Sequence, residues 1–167
     1  SRYQALFDTS GLIMLPRYSE MPPVDWCLWW LGLDPAQVEA GQKRNRLAID
    51  PADMSAVRDR LASVPGRRIL LNPMASEPLR RMPKAAVSSI AQTLLESDPD
   101  IQVILDQPVK IEHPRISHFA DLINSAGRVA ALVAQVDGVV TTDTFLQHAA
   151  DAFSTPSCTL STSVPAS

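Results

Sequence analysis

The sequence predicts an α/β protein with a Rossmann-like, doubly wound parallel sheet. Four short apolar runs bounded by turn residues carry this prediction, and they cover residues 67–73, 101–106, 137–142 and 157–160. Continuous apolar runs of this length are typical of strands that are buried on both faces. The runs alternate with helical patterns, and strands that alternate with helices form a parallel sheet with right-handed crossovers.

The first 65 residues are predicted to be an appendage, and residues 66–167 to be the sheet domain. Gly11 and three prolines interrupt residues 1–23, and the polar residues 33–45 have the composition of a connector. The segment VDWCLWWLGL (24–33) contains every tryptophan of the chain, and Gly32 is a candidate C-terminal stop for its helix. Tryptophans three positions apart share a helix face and need a packing partner. Packing on a neighbouring domain or subunit is favoured over stacking on a ligand.

The remaining elements follow in chain order. Residues 46–49 are a candidate edge strand, and Asp50 is a candidate N-cap of a helix that closes before Gly66. Residues 84–97 carry apolar side chains at helical spacing. Further helices are predicted from the patterns ISHFADLI (116–123), GRVAALVAQ (127–135) and TFLQHAADAF (144–153).

Composition and motifs argue against several classes of protein. The net charge of −3 offers no case for nucleic-acid binding, and no apolar stretch reaches the roughly 18–20 residues that span a bilayer. Cys27 and Cys158 have neither metal-type nor redox spacing, and no leader opens the sequence, so a cytoplasmic location is expected. The dinucleotide and P-loop glycine motifs are absent, and the three histidines are scattered. Neither a metal nor a cofactor is expected.

The candidate ligand site lies in the loops that follow the predicted strands, because parallel α/β sheets bind ligands beyond the carboxyl ends of their strands. These loops are residues 72–81, 106–113, 142–148 and 161–165. The first of them places Ser76, Arg80 and Arg81 just before a helix. A solvated turn would account for one arginine, whereas two arginines at this position fit the binding of a diphosphate better.

A second group of candidates follows the third predicted strand. Either Asp143 or Thr144 is suited to cap the next helix, whose N-terminus would attract a diphosphate. His148 is more commonly a packed or surface residue, but it would hold a phosphate or a sugar hydroxyl if it faced the cleft. Glu112, after the second strand, resembles in position the acid that holds ribose hydroxyls in nucleotide-binding folds, although its loop is irregular.

Two segments resemble a known family. RILLNPMASEPLRRMPKAAVSSIAQTLL and VDGVVTTDTFLQHAADAFSTPSCTLSTSVP are similar to the C-terminal domain of heptosyltransferase-like glycosyltransferases (family 9, GT-B fold). VDWCLWWLGLDP resembles the helix that leads into that domain, so the similarity covers roughly residues 24–165. Its most specific part is the mutual spacing of Asp143, Thr144, His148, Ala150 and Pro156.

The resemblance implies one half of a GT-B architecture that binds a nucleotide-diphospho-sugar donor. It places Ser76 and Arg80 or Arg81 at the phosphates and Glu112 at the ribose. The phosphate and sugar end would be held by Asp143, Thr144 and His148. The family transfers a sugar to a bacterial glycan, such as lipopolysaccharide, or to another acceptor, and it works in the cytoplasm or peripherally at the inner face of the membrane.

The resemblance also implies that the catalytic base belongs to an N-terminal domain outside this chain. The longer parent protein would then be the hexosyl- or heptosyl-type transferase, and this chain by itself is expected to be inactive. Its protein partner would be that N-terminal domain, or a second copy joined through Trp26, Trp29 and Trp30.

The sequence departs from the family pattern at several glycines. Other residues replace them at Met74, Phe145, Ser154 and about Thr162, and Met82 replaces a motif tryptophan. Phe145 places a bulky ring at the start of the helix that the ligand would approach. The alternative interpretation is therefore a degenerate GT-B domain that serves as a non-catalytic binding or scaffolding module.

Overall fold

The structure, a computed structural model, describes residues 20–161. The predicted irregularity of residues 1–19 and the departure at Thr162 lie outside these residues. The sheet domain contains five parallel strands in the order β3-β2-β1-β4-β5. The strands are β1 (Arg67–Leu71), β2 (Ile101–Leu105), β3 (Ile116–His118), β4 (Gly138–Thr142) and β5 (Ser157–Leu160). The predicted α/β class with a doubly wound parallel sheet is confirmed.

Three of the five helices that the structure describes begin at a side-chain cap. The five helices are α1 (Pro23–Trp30), α2 (Pro51–Leu61), α3 (Lys84–Ser97), α4 (Ala126–Val133) and α5 (Phe145–Phe153). Asp50 caps α2 through a 2.7 Å hydrogen bond that its carboxylate accepts from the backbone N–H of Ala52. Ser125 caps α4 by accepting a hydrogen bond from the backbone N–H of Arg128 at 3.2 Å. Each cap satisfies an N–H group that has no partner within its own helix.

Helices cover both faces of the sheet. Successive residues of a strand point to opposite faces, so the fully buried Leu70 and Leu71 belong to different apolar clusters. Leu70 packs in the cluster that includes α2, α4 and α5, and Leu71 packs in the cluster that includes α3. Because both faces of the sheet are buried, polar and apolar residues do not alternate along its strands.

The chain divides into two compact units between Arg44 and Asn45. Helix α2 therefore belongs with the sheet, where Val57 and Leu61 are buried in the cluster of α4 and α5. The prediction from sequence assigns this helix to the appendage. The pattern of its apolar residues shows that one face is buried, but not which element covers that face.

Two local predictions are wrong. Residues 46–49 are irregular and not a strand, and residues 116–118 form strand β3 where a helix is predicted. Strand β3 has only three residues, too few for a recognisable period, and it pairs with β2 (Val103 opposite Ile116). Long-range contacts hold it, since the guanidinium of Arg115 donates to the carbonyls of Leu95, Asp98, Pro99 and Ile101.

The N-terminal unit contains the tryptophan helix α1. Gly32 follows it with φ of +78°, a conformation that favours glycine, which confirms the predicted stop. Trp26 is 1% exposed, whereas Trp29 and Trp30 are 43% and 39% exposed. The partner expected for these two rings stays a prediction. Within residues 20–161 no helix is both long enough and apolar enough to cross a membrane.

Replacing Ser154 with glycine is expected to stabilise the fold. Ser154 ends α5 in the left-handed conformation (φ 56°, ψ 30°), which costs a residue with a side chain about 1 kcal/mol relative to glycine. Urea denaturation should therefore show Ser154→Gly to be about 1 kcal/mol more stable. Ser154→Ala is the matched control because it keeps the unfavourable φ. A glycine variant no more stable than the alanine variant would contradict the expectation.

Candidate functional site

A cavity of about 610 Å³ opens where the strand order reverses. The chain leaves β1 towards β2 on one side and returns on the other side at β4, so the carboxyl ends of these strands form a crevice. The loops after β1, β2 and β4 and the first turns of α4 and α5 line it. Five of the seven predicted site residues are among its lining residues: Ser76, Arg80, Asp143, Thr144 and His148.

Arg80 connects the two sides of this cavity. Its Nη1 donates to the backbone carbonyl of Asp143 at 3.0 Å and to the carboxylate Oδ2 of the same residue at 3.3 Å. Its Nη2 donates to the hydroxyl of Ser76 at 3.0 Å. The side chains of Arg80 and Asp143 are 28% and 40% exposed, so the ion pair is partly solvated. The guanidinium thus positions the loop after β1 against the start of α5.

Thr144 is the cap of α5. Its hydroxyl oxygen accepts a hydrogen bond from the backbone N–H of Leu146 at 3.3 Å, while the carboxylate of Asp143 pairs with Arg80. The choice between the two capping residues is thereby settled in favour of Thr144. His148, one turn further along α5, is exposed and lines the cavity, so it is not a packed core ring.

The other two predicted site residues do not line the cavity. Arg81 donates from Nε to the carbonyl of Ala75 at 2.9 Å and from Nη2 to the carbonyl of Ser76 at 3.2 Å. Arg81 therefore braces the loop that carries Ser76. Glu112 lines a separate groove of about 420 Å³ between α3 and the segment before β3. Of these adjacent arginines, Arg80 therefore lines the cavity, whereas Arg81 holds the backbone of its own loop.

Sequence reasoning missed two buried polar residues at the cavity. Asn72 and Asp106 directly follow β1 and β2 and are 3% and 2% exposed. The amide Nδ2 of Asn72 donates to Oδ2 of Asp106 at 2.6 Å, whereas Oδ1 of Asp106 has no hydrogen-bond partner among residues 20–161. Burial raises the pKa of Asp106 from 3.8 to about 6, although the hydrogen bond from Asn72 lowers it. The available signal was a polar residue ending each apolar run, in LLN and ILD.

The hydrogen bonds continue from Asn72 to the helix cap. The hydroxyl of Thr141, which is fully buried, donates to Oδ1 of Asn72 over a long 3.4 Å. The hydroxyl oxygens of Thr141 and Thr144 are 3.1 Å apart. Side-chain hydrogen bonds therefore connect the carboxyl ends of β2, β1 and β4. The residue pattern of one strand does not reveal such a connection.

The cavity has apolar as well as charged walls. Met74 and Phe145 line it and are 37% and 40% exposed. The described lining residues include two carboxyl groups, those of Asp106 and Asp143, and one guanidinium, that of Arg80, which pairs with Asp143. Protonation of Asp106 and release of Arg80 from Asp143 would both make the cavity more favourable to an anion.

Comparisons with known proteins bear on the fold. No protein-family model matches the sequence, and no curated protein matches it. The glycosyl transferase family 9 structure from Veillonella parvula is similar with a TM-score of 0.59 and 15% identity, over 72% of this chain and 38% of that one. The ADP-heptose LPS heptosyltransferase II of E. coli is similar with a TM-score of 0.56 and 19% identity, over 78% of this chain and 46% of that one.

These similarities concern architecture. The chain covers less than half the length of each of these two solved glycosyltransferases, and the identities are low. The parallel sheet and its crossovers correspond to one Rossmann-like half of such enzymes. The chain therefore has the fold of a heptosyltransferase-like glycosyltransferase half.

Proposed function

We propose that this chain is the domain of a glycosyltransferase that binds the nucleotide-diphospho-sugar donor. The observation that carries the proposal is the cavity at the strand reversal, where Ser76 and Arg80 after β1 meet Asp143, Thr144 and His148 at the start of α5. Ligands of parallel α/β folds bind at this position. The similar solved structures are of a family 9 glycosyl transferase and a heptosyltransferase named for ADP-heptose, which favours a nucleotide-sugar.

The chemistry of the cavity suits the two ends of such a donor. The N-terminus of α5 offers backbone N–H groups and a partial positive charge to a phosphate, and Arg80 and Ser76 supply further donors. Asp143 and His148 would meet the sugar, since a carboxylate accepts hydrogen bonds from hydroxyl groups and an imidazole both donates and accepts. In this proposal the acceptor and the catalytic base belong to another domain.

A second candidate function is a non-catalytic binding or scaffolding module. It is favoured by the exposed ring of Phe145 at the start of α5 and by the pairing of Arg80 with Asp143. A ring at this position covers part of the helix end that a phosphate would approach. An arginine already held by a carboxylate must also exchange partners before it binds an anion.

Titration of the folded chain with ADP-, UDP- and GDP-sugars tests the proposal. We expect saturable binding of at least one of them by calorimetry, and a loss of about tenfold or more in affinity in Arg80→Ala. Arg67→Ala is the matched control, because Arg67 pairs with Asp98 and does not line the cavity. Its affinity should equal that of the unmodified chain.

The outcomes separate the two candidates. Absence of saturable binding at millimolar ligand by a folded sample rejects the donor-binding proposal and favours the scaffold. If Phe145→Gly then binds where the unmodified chain does not, the ring is what closes the site. Equal losses in Arg80→Ala and Arg67→Ala would show that the ligand binds elsewhere.

A further inference from the structure

A line of four polar side chains runs from the buried floor of the cavity to the cap of α5. We call it the polar chain, and its members in order are Asp106, Asn72, Thr141 and Thr144. The first three are at most 3% exposed, so water offers them little alternative hydrogen bonding. Thr144, which is half-buried, lines the cavity as part of the proposed phosphate site.

The ionised carboxylate of Asp106 sets the direction of the whole polar chain. A carboxylate only accepts hydrogen bonds, so Asn72 must turn its NH₂ group towards Asp106 and its oxygen towards Thr141. Thr141 gives its single hydrogen to that oxygen. The hydrogen between the two threonines then comes from Thr144, whose oxygen also accepts from Leu146. The hydroxyl of Thr144 therefore has no hydrogen left for a ligand.

Protonation of Asp106 permits the opposite direction. A neutral carboxyl group can donate to the oxygen of Asn72, whose NH₂ group then faces Thr141. Thr141 in turn can give its hydrogen to the oxygen of Thr144. The hydrogen of Thr144 becomes available to an acceptor in the cavity, such as a phosphate oxygen.

We propose that Asp106 is a positioning residue whose protonation reverses the polar chain and thereby releases the Thr144 hydroxyl to donate to a phosphate of the ligand. This inference rests on the proposed function for its ligand, but the reversal itself is a property of the free protein. Two effects act in the same direction, because protonation also removes a negative charge from the cavity.

The surroundings of Asp106 allow this protonation in an accessible range of pH. Burial raises the pKa of its carboxyl group to about 6. The charged or titratable groups that line the same cavity are Arg80 after β1 and Asp143 and His148 after β4, while the residues contributed by α4 are uncharged. A diphosphate that prefers the protonated form should bind more tightly at pH 5.5 than at pH 8. By linkage it should also raise the pKa of Asp106.

The experiment compares the unmodified chain with Asp106→Asn and Thr141→Val, using ADP as the probe at pH 5.5 and pH 8. Asparagine at position 106 is neutral and can donate, so affinity at pH 8 should rise on the order of tenfold and lose most of its pH dependence. Any contribution of His148 remains in both proteins and cancels in the comparison. Circular dichroism confirms that each variant is folded.

Thr141→Val separates hydrogen-bond direction from charge. Valine takes no hydrogen from Thr144, so the Thr144 hydroxyl is free at every pH while Asp106 keeps its charge. We expect an affinity gain on the order of fivefold at pH 8. A gain in Asp106→Asn without one in Thr141→Val would show that Asp106 acts through charge, and would overturn the inference.

NMR of the free protein gives a readout that needs no ligand. The cross-peaks between the NH₂ hydrogens of Asn72 and the side chain of Thr141 should grow, as the pH falls, with an apparent pKa near that of Asp106 in the unmodified chain, and should not depend on pH in Asp106→Asn. If these signals titrate but ADP does not bind to any of the proteins, the proposed function fails while the reversal stands. Signals that do not titrate overturn the inference whatever the binding result.

Discussion

Replacing Asp106 with asparagine is expected to stabilise the fold at pH 7 by about 3 kcal/mol. Asp106 is 2% exposed, and its Oδ1 has no partner among residues 20–161. A pKa moved from 3.8 to about 6 by burial corresponds to a cost of about 3 kcal/mol for keeping the group ionised in the folded state. Asparagine has nearly the same shape, carries no charge, and can still exchange a hydrogen bond with the side-chain amide of Asn72.

The stability gained in Asp106→Asn should depend on pH. Above pH 6 the carboxyl group is ionised in both the folded and the unfolded state, and the folded state carries the full cost of burying the charge. The cost falls as the pH drops through 6, because the folded state then takes up a proton before the unfolded state does, and it vanishes below 3.8. The advantage of Asp106→Asn should therefore fall to about half at pH 5 and to little at pH 4.

Urea denaturation of both proteins at pH 7, 5 and 4 measures this difference. Other carboxylates lose ion pairs in acid, but they do so equally in both proteins and cancel. Asp137→Asn is a suitable comparison, since the exposed Asp137 accepts a hydrogen bond from the backbone N–H of Arg68 and this variant should lose stability on neutralisation. An Asp106→Asn protein that is less stable at pH 7 would show that the buried charge is compensated.

Replacing Asn72 with alanine should have an effect of similar size and opposite sign. Asn72 supplies the 2.6 Å hydrogen bond to Oδ2 of Asp106, and without it neither carboxylate oxygen has a side-chain donor among the described residues. A hydrogen bond to a buried charged group is worth up to about 3 kcal/mol, so we expect Asn72→Ala to lose about that much stability at pH 7. The loss should be smaller at pH 5, where Asp106 is largely protonated.

A double-mutant cycle isolates the cause of that loss. In the Asp106→Asn background no buried charge remains, so the further change Asn72→Ala should cost only about 1 kcal/mol. If Asn72→Ala costs the same stability in both backgrounds, the loss comes from the packing void that the truncated side chain leaves. Denaturation midpoints of the four proteins at pH 7 decide between these explanations.

Most of the helices and strands were predictable because their signals are local. Apolar runs mark buried strands, and Asp50 and Gly32 act within one turn of the helices that they start or stop. Strand β3 was not predictable. Its three residues are held by pairing with β2 and by the guanidinium of Arg115, which bonds carbonyls 14 to 20 positions earlier in the chain.

The α/β class, the loops that line the cavity, and the resemblance in the spacing of Asp143, Thr144 and His148 could all be read from the amino-acid sequence. Which side chains meet depends on how the chain folds. The fold places Arg80 at the cavity but not Arg81, and it joins Asp106 to Asn72 across 34 residues and Asn72 to Thr141 across 69. The physical reason is that helix and strand periods arise between neighbours in the chain. Hydrogen bonds between strand ends arise only when the crossovers bring β1, β2 and β4 side by side.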